Sequence, residues 1–164
     1  MMIAITTVVV ILLVAIDQLS KYLVLTGLKP VGTMTVIDGF LQFRYVENTG
    51  AAFSMLSNNT TFLSVITSLI MIAILAVLFT GKIKDKLQCA ALIIVVAGGI
   101  GNLIDRVARG FVVDFIEFTF VDYAVFNVAD IFVTIGAVLL VISIIIEIVR
   151  ETKEKKGQSD ADDE

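Results

Sequence analysis

The sequence predicts a membrane all-α fold with a small β element, in which four transmembrane helices carry a small extracytoplasmic β-sheet over the outer membrane surface. Three observations support this class. Of the 164 residues, 58% are hydrophobic, with a mean hydropathy of +0.99, whereas soluble domains are about 45–50% apolar. Four apolar runs are long enough to cross a bilayer, which takes about 20 helical residues. Two segments between the runs have the residue pattern of strands.

The four apolar runs cover about residues 2–25, 61–80, 87–103 and 123–149. The first is interpreted as a retained helix and not as a cleaved signal peptide, because no basic segment opens it and Asp17 and Lys21 lie near its end. Residues 1–150 are expected to form a single membrane domain. The charged segment 151–164 is expected to be a disordered cytoplasmic tail.

The distribution of lysine and arginine predicts the orientation, because these residues accumulate in cytoplasmic loops. Three lysines lie in the loop 81–86 between the second and third runs, and basic residues follow the fourth run at positions 150, 153, 155 and 156. Both termini are therefore expected to face the cytoplasm. The segments 26–60 and 104–122 are then expected to face outward.

The strand patterns lie in these two outward segments. Residues 35–46 contain an Asp38-Gly39 turn signal, followed by alternating apolar and polar side chains. Residues 111–118 are rich in β-branched and aromatic residues, which favour strands. A small sheet at the outer membrane surface is the prediction.

Five polar clusters interrupt the apolar chain, and the predicted topology places all of them at the outer ends of the spans. They are Asp17-Gln18 with Lys21, the segment Asn48-Thr49-Gly50-Ala51-Ala52-Phe53, Asn102 with Asp105-Arg106, Asp114, and Asn127 with Asp130. Within each helix the polar residues are three or four positions apart and share one face. Polar groups in a membrane are costly and need partners. The clusters are therefore predicted to form one site.

The residue types limit the chemistry of such a site. The chain has no histidine, which excludes Ser-His-Asp and Cys-His mechanisms, and its single cysteine cannot form an internal disulfide. Asp114 and Asp130 are sixteen residues apart, and a strand and a helix that both end at the membrane surface could bring their carboxyl groups together. Two close carboxyl groups share one proton, so one can activate water while the other polarises a carbonyl group.

Each cluster also has a structural interpretation, and the residues alone leave these open. Asp114 could be a surface carboxylate on a strand, and Asp130 could cap a helix start or complement its dipole. Asp105-Arg106 could be a structural ion pair. Asp17 with Lys21 could be a structural pair or a lipid-facing anchor. Asn48-Thr49-Gly50 could be only a turn.

Taken in series, the five clusters closely resemble the bacterial lipoprotein signal peptidases (signal peptidase II). The resemblance covers about residues 17–130. The matching motifs are Asp17-Gln18-x-x-Lys21, Asn48-x-Gly50-x-Ala52-Phe53, Gly98-Gly99-x-Gly101-Asn102-x-x-Asp105-Arg106, Val113-Asp114-Phe115 and Phe126-Asn127-x-Ala129-Asp130.

This resemblance implies a membrane aspartic peptidase without metal or cofactor. Its substrates would be diacylglyceryl-prolipoproteins, cleaved before the lipidated lipobox cysteine to release the signal peptide. Asp114 and Asp130 would be catalytic, with a supporting or substrate-binding set of Asn48, Gly50, Asn102, Asp105, Arg106, Asn127, Asp17 and Lys21. Membrane lipid and globomycin-type inhibitors are expected as further ligands, and nucleic acid is not.

Two other functions are alternatives to a peptidase. The main alternative is a small proton- or cation-coupled membrane carrier with Asp17, Asp105 and Asp130 as a relay. Against it, the second span has no ionisable residue, so no relay reaches the cytoplasmic side. A non-enzymatic membrane assembly subunit would leave the convergence of the five clusters unexplained.

Overall fold

The computed structural model describes residues 2–50 and 59–162, with the side chains of 2–4 and 156–162 left aside. Its elements in chain order are α1 (Met2–Leu23), a π-helical segment (Val24–Leu28), β1 (Thr33–Ile37), β2 (Leu41–Asn48), α2 (Thr60–Phe79), α3 (Lys86–Arg109), β3 (Val112–Phe118) and α4 (Val128–Asp162). Four of these stretches are long and apolar enough to cross a membrane. The predicted four helices with a small sheet are confirmed. The predicted motif residues Ala51–Phe53 lie outside the described residues.

Helix α3 is the centre of the bundle and packs against α1, α2 and α4. Its buried face is built from small residues, including Ala97, Gly98 and Gly101. Small side chains let helix backbones approach closely, which is how helices associate where no hydrophobic effect drives them together. Large apolar side chains cover the outward faces of the other helices, as a lipid environment requires.

The closest helix approach predicts a sensitive position. A Cβ atom at Gly98 would collide with the backbone carbonyl oxygen of Ala129 and with Val133, so Gly98→Ala must push α3 and α4 apart. We expect Gly98→Ala to lower the free energy of unfolding in detergent by about 1–3 kcal/mol, as overpacking does. Gly27→Ala is the matched control, because a Cβ atom there meets nothing within 4 Å. Equal stability of the two variants would contradict this account of the interface.

The three strands form one antiparallel sheet in the order β1-β2-β3. The β1–β2 turn is the predicted one, with Gly39 at a φ of 67°, a left-handed conformation that glycine adopts without strain. Val113 and Phe115 of β3 pack onto Val24 and Leu28 of the π segment. Side chains alternate along a strand, so Asp114 faces away from this core.

The helix ends differ from the predicted spans in ways that matter for the site. Helix α3 continues past residue 103 to Arg109 and stops at Gly110, whose φ of 81° ends the helix. Residues 123–127, predicted as the start of span four, instead lie outside the helix, and Phe126 pairs with Ile116 of β3. Helix α4 begins only at Val128.

The C-terminal segment also differs from the expectation. Instead of a disordered tail from residue 151, α4 continues as a helix to Asp162. Residues such as Glu, Lys and Gln have good helix propensity, and extending an existing helix avoids the cost of nucleation. Thr152 supports the continuation by donating its hydroxyl to the carbonyl oxygen of Ile148 at 2.8 Å.

Candidate active site

Asp114 and Asp130 line the same cavity, which has a volume of about 230 Å³. Asp114 comes from β3 and is 2% exposed, whereas Asp130 comes from the first turn of α4 and is half-buried. The guanidinium of Arg106 lies on the wall of the cavity. The predicted convergence of strand and helix is therefore present in the structure.

Three asparagines hold the two carboxylates. Asp114 accepts hydrogen bonds from Asn48 Nδ2 at 2.8 Å and from Asn127 Nδ2 at 2.6 Å. Asp130 accepts from Asn102 Nδ2 at 2.7 Å and from the backbone N–H of Asn127 at 3.0 Å. Each carboxylate thus has two N–H donors, and the side chain of Asn127 also donates to Asn102 at 3.0 Å. The carboxylates belong to a single polar network.

The start of α4 aims Asp130 at this network. Asn127 Oδ1 accepts the backbone N–H of Asp130 at 3.0 Å, while Asp130 Oδ2 accepts the backbone N–H of Asn127. This reciprocal pair is a capping box, which satisfies two N–H groups that a helix start leaves without partners. The capping interpretation of Asp130 is correct, and its second oxygen remains directed at Asn102.

Burial and the nearby charge of Asp130 together raise the pKa of Asp114 from 3.8 to about 7. Burial is the larger cause, because removing water disfavours the charged form. The two amide donors oppose the shift without cancelling it. Near neutral pH, Asp114 is therefore able to keep a proton.

A buried ion network lies beneath the carboxylates. Lys21 Nζ contacts Asp17 at 2.9 Å and Asp105 at 3.1 Å, and it donates to Asn102 Oδ1 at 2.8 Å. The side chains of Lys21, Asp17 and Asp105 have no exposed surface. The alternative of a lipid-facing anchor for Asp17 and Lys21 is therefore wrong. The pair instead reaches the site through Asn102.

Asp17 also ties α1 to α4, because its Oδ1 accepts the backbone N–H of Ala129 at 2.9 Å. Gln18 Nε2 adds contacts to Asp17 and to the Gly101 carbonyl oxygen, both at 3.1 Å. Gly101 leaves space for the Asp17 carboxylate, which a Cβ atom at that position would meet at 2.5 Å. Gly101 therefore has to be a glycine because the Asp17 carboxylate occupies the space beside it.

The alternative of an Asp105–Arg106 ion pair is wrong. Asp105 pairs with Lys21 and with Arg109, whose Nη1 lies 2.5 Å from Asp105 Oδ1. Asp105 also accepts the backbone N–H of Val113 at 3.1 Å. Adjacent helix residues face different directions, whereas Arg109 is four positions on and shares the face. Sequence reasoning missed Arg109, although this spacing was available to find it.

Arg106 points instead toward the second motif. Its Nη2 donates to the carbonyl oxygen of Gly50 at 3.4 Å, and its buried Nε has no acceptor among residues 2–50 and 59–162. Asn48 Oδ1 accepts the backbone N–H of Gly50 at 2.9 Å, so this segment does form a turn. The same Asn48 side chain reaches Asp114 through its Nδ2. The turn interpretation is thus correct, and the same side chain contacts Asp114.

The site opens in two chemically different directions. A cavity of about 410 Å³ on the sheet side is lined by Asn48, Gly50 and Asp114 together with polar residues such as Arg44 and Glu47. An apolar cavity of about 390 Å³ runs from Asp130 along α4, between aromatic side chains and the helix. The lining of the apolar cavity includes Phe118, Tyr123, Phe126, Ile131 and Ile135. A polar peptide would reach Asp114 from the first cavity, and an apolar chain would reach Asp130 from the second.

The raised pKa of Asp114 predicts a pH dependence of stability. The folded chain keeps a proton that the unfolded chain has released, so this contribution to stability is full below 3.8 and declines as the pH rises toward about 7. We expect the free energy of unfolding to fall over that interval and Asp114→Asn to remove part of the fall. Denaturation in detergent at several pH values measures the slope. Asp38→Asn, at an exposed turn, should keep the wild-type slope, and an unchanged slope in Asp114→Asn would contradict the prediction.

Comparison with known proteins identifies the family. The family described as "Signal peptidase (SPase) II" matches residues 9–146. The Lipoprotein signal peptidase of Caldanaerobacter subterraneus subsp. tengcongensis is 48% identical over 136 residues, which cover 81% of this chain and 90% of the relative. The Lipoprotein signal peptidase of Streptococcus pyogenes serotype M5 is 42% identical over 132 residues, which cover 80% and 87%.

Solved structures agree with the sequence relatives. A bacterial membrane enzyme structure determined by the in meso method at 2.3 Å resolution superposes with a TM-score of 0.76 at 36% identity, covering 93% of this chain and 92% of the other. A second such structure, at 1.9 Å resolution, gives a TM-score of 0.73 at 36% identity, covering 87% and 93%. The four spans and these neighbours indicate a multi-pass membrane protein. By the family match, the identity of its relatives and the shared fold, the chain belongs to the signal peptidase II family.

Proposed function

We propose that this protein is a membrane aspartic peptidase that removes the signal peptide from diacylglyceryl-modified prolipoproteins, with Asp114 and Asp130 as its catalytic pair. One observation carries the assignment. The two carboxylates line one small cavity and are joined through Asn127 and Asn102. The family membership supports a peptidase, and the cavity supplies the residues for an aspartic mechanism.

The proposed mechanism uses one proton shared by the pair. The ionised carboxylate takes a proton from water, whose oxygen attacks the scissile carbonyl carbon, while the protonated carboxyl group gives its proton to the carbonyl oxygen. In the collapse of the tetrahedral intermediate, the carboxyl group that took a proton from water gives it to the leaving amine of the lipidated cysteine. A hydroxyl group of the intermediate returns its proton to the other carboxylate, and the C–N bond breaks. The raised pKa of Asp114 keeps this proton available near neutral pH.

The surrounding residues have supporting roles in the proposal. Asn48, Asn102 and Asn127 fix the orientation of the carboxylates through the hydrogen bonds described above. Arg106 borders the cavity between the carboxylates, where the guanidinium can donate to a peptide carbonyl group, and Gly50 borders the polar cavity on the sheet side. Asp17, Lys21 and Asp105 hold Asn102 and the start of α4 in place.

The two openings fit the two parts of the proposed substrate. The apolar cavity along α4 offers a lateral path from the bilayer for lipid and signal-peptide segments, and the polar cavity accepts the chain beyond the cysteine. The basic residues of the 81–86 loop and the C-terminal segment favour cytoplasmic termini, and they support the proposal that the site lies near the outer face of the cell membrane. Globomycin-type inhibitors are proposed to bind at the same cavity.

The carrier alternative has no support from the comparisons, whose relatives are peptidases. The structure adds that the ionisable residues of the site cluster at one end of the bundle. Helix α2 has no ionisable residue along its length. Helix α2 therefore offers no side chain that could pass a proton across the membrane.

Cleavage by the purified protein tests the function. In detergent, we expect it to cut a diacylglyceryl-prolipoprotein before the modified cysteine and to leave the unmodified precursor uncut, with mass spectrometry identifying both products. A chelator should leave the rate unchanged, because the proposed chemistry uses only carboxyl groups and water. Loss of cleavage on chelation that added metal restores would refute the aspartic mechanism. Absence of cleavage under all conditions would refute the substrate assignment.

A further inference from the structure

A separate cavity of about 480 Å³ lies between the outer end of α1 and the sheet. Its walls come from α1, the π segment and all three strands, with Leu23, Leu28, Phe43 and Phe115 among the lining residues. Ser20 is the one hydroxyl-bearing side chain among its described lining residues. A cavity with so few polar partners does not hold ordered water.

Strand β3 separates this cavity from the paired carboxylates. Asp114 lines the cavity of about 230 Å³, whereas the next residue, Phe115, lines the apolar cavity behind the sheet. Neighbouring residues of a strand face opposite sides, and the two cavities share no described lining residue. The cavity between α1 and the sheet is therefore distinct from the proposed catalytic site.

The cavity between α1 and the sheet is continuous with the lipid-facing surface of the bundle. Leu23 lines the cavity and is 59% exposed, and Leu19 and Tyr22 of the same span are equally exposed. These side chains lie within the membrane-spanning stretch Ile5–Leu28. In a bilayer, exposed apolar side chains of a span contact acyl chains, so the same acyl chains have direct access to the cavity.

The backbone beside the cavity departs from α-helical geometry. Val24–Leu28 form a π-helical turn, closed by the N–H of Lys29 donating to the Val24 carbonyl oxygen at 2.8 Å. Such turns are rare and occur often at functional sites. Within it, a Cβ atom on Gly27 would meet nothing within 4 Å, and its φ is not in the left-handed region. Neither packing nor backbone geometry calls for this glycine, but a side chain there would enter the cavity.

We propose that this cavity binds one acyl chain of a membrane glycerolipid from the leaflet that borders the sheet. The exposed ion pair of Lys29 and Glu47, with Nζ and Oε1 3.0 Å apart, marks the polar boundary just beyond the π segment. A head group at that level would place its acyl chain beside Leu23 and Leu28. The occupant is a bulk lipid and not the substrate, because β3 stands between the cavity and the carboxylates. The bound chain packs against Phe115 and so supports the strand that carries Asp114.

Fluorescence quenching tests this proposal, because the chain has no tryptophan and a single introduced tryptophan has no background. Phe43→Trp places the probe in the cavity wall. In nanodiscs of phosphatidylcholine with brominated acyl chains, we expect this probe to lose most of its fluorescence relative to unbrominated nanodiscs. Adding Gly27→Leu should restore the fluorescence by filling the cavity. Adding Thr26→Leu, on the exposed neighbouring position, should not.

The outcomes separate the possible occupants. Equal fluorescence in both kinds of nanodisc overturns the proposal, provided that Leu19→Trp on the lipid-facing surface is quenched. Quenching that persists with Gly27→Leu also overturns it, because the bromine is then outside the cavity. Quenching only when the bromine is carried by a diacylglyceryl substrate assigns the cavity to the substrate instead. If Phe43→Trp does not fold, Met34→Trp is a second probe in the same wall. None of these readings requires peptidase activity, so they stand even if the proposed function fails.

Discussion

Replacing either Asp114 or Asp130 with asparagine is expected to abolish cleavage of a diacylglyceryl-prolipoprotein, with a loss of at least about 10²–10⁴-fold in kcat, the usual contribution of a general acid or base. Asparagine preserves the size of the side chain but can neither take a proton from water nor supply one. Because both groups act in one proton transfer, each single variant should lose nearly as much as the double variant.

The hydrogen bonds of the site predict how these variants should fold. Asp114→Asn retains an oxygen that can accept from Asn127, and Asp130→Asn retains one that can accept from Asn102. Both variants should therefore elute as folded protein in detergent. Asp38→Asn, at the exposed β1–β2 turn, is the matched control and should cleave at the wild-type rate.

Two results would count against the pair. Full activity in both folded variants would place the chemistry elsewhere, with Asp105 as the next residue to test. Activity lost in only one of them would reduce the mechanism to a single carboxyl group. Single-turnover measurements with excess enzyme distinguish a loss of chemistry from a loss of substrate binding.

The sequence was sufficient to predict the layers of the fold and the place of the site. Hydropathy fixes how deep a residue lies in the membrane, and the alternation of the four spans puts Asp17, Asn102 and Asp130 at the same end. The turn signal Asp38-Gly39 and the β-branched run at 111–118 predicted the sheet, because strand and turn preferences are local. The depth of each polar residue in the membrane, together with the local strand and turn preferences, was enough to predict one shared site.

The partners within the site could not be predicted in the same way. Hydropathy does not fix the rotation or tilt of a helix, which depends on packing against neighbours. The contact of Asp17 with the Ala129 N–H joins residues 112 positions apart, and no periodicity encodes it. The late start of α4 has the same origin, because Phe126 pairs with β3 instead of extending the helix. The Asp17 contact and the late start of α4 together set the orientation of the Asp130 side chain.

The largest expected effect on stability is that of Lys21→Met. Methionine has a similar length but no charge. Among residues 2–50 and 59–162, the carboxylates of Asp17 and Asp105 would then keep only Arg109 as a cation within contact distance. Removing one partner of a buried ion pair costs about 3–5 kcal/mol, because the remaining charge is left uncompensated in a medium that cannot solvate it. The free energy of unfolding in mixed detergent micelles should fall by that amount. The Asn102 side chain should also be held less firmly, since its Oδ1 would lose the Lys21 donor and keep the Asn127 donor.

A second substitution distinguishes lost charge balance from lost packing. In Asp17→Asn/Lys21→Met the excess negative charge is removed while the volume is kept, so the double variant should be more stable than Lys21→Met alone. Lys29→Met is the matched control, because its ion pair with Glu47 is nearly half exposed on both sides and contributes little. If Lys21→Met is as stable as Lys29→Met, the buried network does not hold the helices together. If the double variant regains stability but not cleavage, Lys21 acts on the catalytic pair through Asn102 as well as on the fold.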